Sequence, residues 1–129
     1  MMALASTGKE LEAAEDSSAE PIPIDVDAIS IRTESILGMR MGTTTRKEMD
    51  NALAGVTRNL DQLLCQDLGA DGDEDVRTLF RKGYALFARE TRPTAETPAF
   101  GVFTHLRDTA LLTRQLLWIY TQRNGLESP

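Results

Sequence analysis

Between Pro98 and Gly125 the chain runs without a proline, and Ala99, Val102, Phe103, Leu106, Ala110, Leu116, Leu117 and Tyr120 recur along it at helical spacings. Leu111, Leu112, Trp118 and Ile119 then spread apolar surface around the second half of the same segment. A helix that is apolar on more than one side is central in its domain or packed against another chain. Thr97 is the expected cap of this helix, with Pro98 in the first turn where its missing amide proton costs nothing. Gly125 is the expected stop, with Leu126 folding back.

Three shorter segments carry the same periodicity. From Asp25 or Asp27 as cap, Val26, Ile29, Thr33, Ile36 and Leu37 describe one face of a first helix, expected to stop near Met41 where Gly38, Gly42 and Thr43–Thr45 weaken it. Thr45 and Glu48 have the spacing of a capping box and open a second helix. Its stripe is Met49, Leu53, Val56, Leu60, Leu63 and Leu64, with Asp50, Arg58 and Asp61 outward and Gly69 as its end. A third helix follows the acidic run Asp71–Asp75, burying Val76, Leu79, Phe80, Gly83, Tyr84 and Phe87, and is closed by Pro93. No strand pattern, internal repeat or glycine-rich nucleotide loop is present.

The fold class that follows is all-α: an antiparallel four-helix bundle over residues 25–126, with a long C-terminal helix. Residues 1–24, rich in Ala, Glu and Ser and ending in a Pro-Ile-Pro turn, are expected to be a disordered acidic tail. Residues 1–27 hold seven acids and one lysine of the chain's twenty acids and fourteen bases, so the body is neutral and the net charge of −6 belongs to the tail. A neutral body without a basic patch argues against nucleic acid as a partner. No run is apolar enough for a membrane span, and no secretory signal precedes Lys9, so a cytoplasmic protein is expected.

Candidate chemistry is sparse. Cys65 is single and is expected to sit in the apolar stripe of the second helix as a small hydrophobe. The acidic run fails as a calcium loop: counted from Asp71, Val76 replaces the glycine and Lys82 the terminal glutamate. One histidine and one cysteine fall short of a zinc site, so no metal and no cofactor are expected. His105, with Asp108 three residues on, resembles half of a general-base pair but has no matching nucleophile on its helix. Arg77, Arg81, Lys82 and Arg89 give the third helix a basic exposed side.

Asp75-Val76-Arg77, His105-Leu106-Arg107-Asp108 and Leu111–Trp118, in this helix order, resemble a family of small actinobacterial helical proteins catalogued loosely as natural-product-biosynthesis proteins of unknown function. The resemblance covers roughly residues 28–125. It implies a setting in specialised metabolism and transfers no catalytic residue.

Two functional expectations result. The first is a non-catalytic helical interaction or accessory protein, homodimeric through Arg107, Leu111, Leu112, Arg114, Trp118 and Ile119, where arginine and an aromatic stand beside aliphatic residues as in protein–protein hot spots. The second is a small-ligand protein or compact enzyme, with a pocket between helices lined by Phe80, Tyr84, Phe103 and Trp118 and with His105 or Arg107 as its polar group.

Overall fold

The computed structural model describes residues 24–125, so the expected acidic tail and Leu126 lie outside the described residues. The described chain is all-helical: α1 (Val26–Leu37), a short 3-10 turn (Met41–Thr43), α2 (Arg46–Leu64), α3 (Glu74–Phe87) and α4 (Ala99–Asn124). The expected four-helix bundle is the architecture found. α4 lies at its centre, in contact with the other three helices, while α2 also touches α1 and α3.

Local chemistry explains most helix ends. Asp25 caps α1 by accepting from the Ala28 amide at 3.0 Å. The capping box of α2 is present in both directions: Thr45 Oγ1 accepts from Glu48 N at 3.1 Å, and Thr45 N donates to Glu48 Oε1 at 2.8 Å. Gly125, at φ +65°, ends α4 in the left-handed conformation glycine adopts without a Cβ clash.

Four expected ends move. α1 stops at Leu37, short of Met41, because Gly38 ends it and the chain turns so that Met39 and Met41 pack under the core. α2 stops at Leu64 and not at Gly69, since Leu68 swings inward to 2% exposure and Gly69, at φ +87°, instead serves the turn that brings it there. Cys65 is consequently the C-terminal cap of α2 and is exposed, not part of the buried stripe. α3 ends at Phe87, well before Pro93, where the Thr91 hydroxyl donates to the carbonyls of Ala85 and Ala88 at 2.6 and 3.0 Å and draws the chain into a turn. Thr97 does not cap α4: its hydroxyl accepts from Thr94 N at 2.8 Å within the preceding loop. Arg46 holds that loop from α2, donating to the Thr94 and Thr97 carbonyls at 2.7 and 2.8 Å.

The apolar interior falls into two clusters. One joins Ile29, Leu60, Leu63, Leu64, Leu68, Val76, Leu112, Leu116 and Leu117, and the other joins Ile36, Met49, Val56, Val102, Leu106 and Ala110. Buried Thr33 lies between the two clusters along α1, and Thr109 and Thr113 stand on either side of their boundary between Ala110 and Leu112 on α4. Each hydroxyl donates to a carbonyl of its own helix, respectively Ser30, His105 and Thr109, so none is left unsatisfied. α1 is tied to α2 by Arg32, whose guanidinium crosses Gly55 and donates to the buried Asn59 Oδ1 at 2.7 Å. α3 approaches α2 and α4 through Gly83, where an added methyl would stand 3.0 Å from both δ-carbons of Leu64 and 3.5 Å from one of Leu112.

Candidate functional site

α4 buries Val102, Leu106, Thr109, Ala110, Leu112, Thr113, Leu116 and Leu117 against its neighbours. Its remaining side, Thr104, Arg107, Asp108, Leu111, Arg114, Gln115, Trp118 and Gln122, faces solvent or is half-covered. These positions follow spacings of three and four and form a continuous outward stripe. Of the six interface residues expected from sequence, five lie on or beside it. Leu112 lies about 100° around the helix from Leu111, toward α3, where at 5% exposure it packs under Gly83 and forms the base of the trough described next.

α3 runs antiparallel to α4 and flanks this stripe, placing Leu86 near Asp108 and Leu111 and placing Val76 and Leu79 near Trp118 and Ile119. The result is an open trough. Its first section, about 480 Å³, lies between Lys82, Leu86, Asp108, Leu111, Leu112, Arg114 and Gln115. The middle, about 460 Å³, is lined by Leu79, Arg114, Gln115, Trp118 and Ile119. The last, about 400 Å³, extends past Trp118 to Asp73, Asp75, Gln122 and Arg123. Trp118 is 63% exposed at its middle. Ile31 and Phe100 are exposed to a similar degree, but single apolar residues on a surface are ordinary, whereas Trp118 shares its trough with Leu79, Ile119 and Leu111.

The second expected site is not assembled. Phe80 and Tyr84 are neighbours on α3, their ring centres 6.4 Å apart edge to face, and Tyr84 is 58% exposed. Tyr84 follows Gly83 by one residue, so it points about 100° away from the face that Gly83 lays on α4. Phe103 packs against the other apolar cluster, with Ile36 and Met49, and Trp118 lies in the trough. His105 lines a separate cavity of about 110 Å³ beneath the loop after α3, with Leu53, Thr57, Leu60, Leu86, Phe87, Arg92, Pro93 and Thr109. That volume is below the several hundred Å³ usual for an organic ligand. Helical periodicity shows which side of a helix is apolar but not which neighbour meets it, and these aromatic residues belong to separate faces.

Half-buried His105 loses part of its hydration, which lowers its pKa, and the nearby Asp108 carboxylate offsets only part of that shift. The imidazole is therefore neutral at physiological pH in the fold, while the unfolded chain takes up its proton below about pH 6.5. Stability associated with His105 is complete above that value and is lost as pH falls through the lower folded pKa. Replacing it in His105→Gln is expected to flatten the acid side of the stability profile. Urea midpoints measured across this window would refute the assignment if parent and variant fell in parallel.

Among the described residues, no group of three or more His, Cys, Asp or Glu side chains is placed to hold a metal ion. No described helix is long and apolar enough to cross a membrane. Asp73, in the acidic run, accepts from the amides of Asp75 and Val76 at 2.9 and 3.3 Å, which makes it the cap of α3. The sequence pattern of α4 marks only half of the trough; Leu79, Lys82 and Leu86, which form its other wall, carry no sequence signal of that role, because only the sharing of one edge by α3 and α4 brings them there. No known protein family, curated protein or solved structure matches the chain.

Proposed function

We propose that this protein is a non-catalytic helical interaction protein that works as a homodimer, with the trough between α3 and α4 as the surface two copies share. The observation that carries the reading is Trp118, a large aromatic held in the open middle of an apolar trough bordered by Arg114. Tryptophan and arginine are the residues that most often supply binding energy at the centre of an interface. The described core is filled from α1, α2, α3, Leu68 and the inner side of α4, and Trp118 belongs to neither of its clusters. The sequence resemblance supports an accessory or regulatory role toward another protein in natural-product biosynthesis, in the cytoplasm.

Trp118 is also the chain's single tryptophan, so its fluorescence reports this surface alone. Dilution of the purified full chain in an analytical ultracentrifuge is expected to show reversible dimerisation at micromolar concentration, with the emission maximum moving to shorter wavelength as dimer forms. Trp118→Ala is expected to abolish association while leaving the thermal midpoint of the monomer almost unchanged. A parent chain that stays monomeric with water-exposed emission at every concentration overturns the proposal, as does a variant that associates like the parent.

A further inference from the structure

The charges along the trough are not distributed evenly. Lys82 and Arg114 stand on the side of Trp118 nearer the start of α4, while Asp73 and Asp75 stand on the side nearer its end. Asp108 and Arg123 are the exceptions: Asp108 sits at the far basic end beside His105, and the guanidinium of Arg123 lies over Gly69. Within the described residues the one ion pair is Arg46–Asp50, so none of the trough's charged groups has an ion-pair partner there.

From this polarity we infer that two copies join antiparallel, about a two-fold axis passing beside Trp118 and Leu79, with Lys82 of each copy facing Asp75 of the other. The inference rests on the homodimer reading and specifies its geometry. An isologous interface must be complementary to itself. A two-fold that keeps the helices parallel would set Lys82 and Arg114 beside the partner's Lys82 and the partner's Arg114, and acids beside acids. Reversing the direction exchanges the ends. α3 then runs against the partner's α3, so that Lys82, three residues after Leu79, meets the partner's Asp75, four residues before it. Trp118 packs near the partner's Trp118, and Arg114 falls opposite the partner's Gln122, so no like charges are opposed at the centre. Such rim charges select partner and orientation, while the apolar centre supplies most of the binding.

A charge exchange tests the register. Lys82 and Asp75 are both exposed, and Asp75, unlike Asp73, caps no helix. Each of Lys82→Glu and Asp75→Lys is expected to weaken dimerisation of the full chain about tenfold or more, because the interface contains the pair twice and each change makes two attractions repulsive. The double variant is expected to return to within about threefold of the parent, since coupling between contacting charges is what a double-mutant cycle isolates. Circular dichroism and thermal melting of each monomer separate a loss of pairing from a loss of fold. Salt dependence is a second measurement: the parent dimer should weaken at high ionic strength, and the single variants should tighten as their repulsion is screened. A parent that dimerises while single variants do so equally well, or while the double variant gains nothing over them, overturns this register and leaves the dimer standing. A parent that does not dimerise overturns the homodimer reading itself, and the register with it.

Discussion

Replacing Leu116 by alanine is expected to lower the free energy of unfolding by about 2–5 kcal/mol, the range for deleting a fully buried leucine side chain without collapse of the space it leaves. Leu116 is 0% exposed and belongs to the larger apolar cluster, where α4 meets side chains from α1, α2 and α3. A domain of this size has a total stability of about 5–15 kcal/mol, so the loss is a large fraction of it. Trp118 is two residues away and has the larger side chain, yet it is 63% exposed, and its truncation should cost the monomer well under a leucine's share. Urea denaturation followed by far-UV circular dichroism checks both. A smaller loss for Leu116→Ala than for Trp118→Ala would mean that the inner and outer sides of α4 have been assigned the wrong way round.

The second large effect is expected at Gly83. A single added methyl already stands at 3.0 Å from two carbons of Leu64, closer than carbon atoms pack without moving. In Gly83→Ala the gain of about 1 kcal/mol in helix propensity works against that crowding, and the two largely offset each other. In Gly83→Leu three further carbons have no room, and a loss of about 3 kcal/mol or more is expected as α3 is pushed off α2 and α4. The trough depends on α3 staying where it is, because Leu79, Lys82 and Leu86 form one of its walls. The variant should therefore lose association as well as stability, which sedimentation measures independently of the urea midpoint. A Gly83→Leu protein that melts and associates like the parent would show that α3 does not dock through this residue.

What could be read from sequence and what could not divide along a physical line. Where the determining atoms lie within one turn of each other, as for the Thr45 and Glu48 capping box, the Asp25 cap or the Gly125 stop, the spacing of residue types was sufficient. The ends of α1 and α3 rest on a choice among several local stop signals, settled by Gly38 and by the Thr91 hydroxyl, whereas the end of α2 is decided by distant packing. Leu68 must leave the axis of α2 to reach Val76 and Leu117, and no local preference announces that. The same holds for the candidate surface. α4 reveals itself through an excess of apolar residues over what one face can hide, but that Leu112 forms the covered base of that surface depends on the position of Gly83, and the expected aromatic pocket requires contacts between helix faces that do not meet. Buried Asn59 and the close approach of Arg32 at Gly55 were likewise invisible, since neither a lone asparagine nor a lone glycine in a helix identifies the residue that crosses it.

The level at which the two apolar clusters meet is a layer of buried threonines. With the hydroxyl protons of Thr33, Thr109 and Thr113 directed into their own helices, no directional bond at that level couples α1 to α4. The axial register of those helices is then set by shape, through Ile29 above the layer and Ile36 below it, each fitted into a different nest of leucines and methionine. Sliding α1 along α4 would have to lift Ile29 and Ile36 out of their clusters at once, so the two ends of α1 act together as the lock on its position.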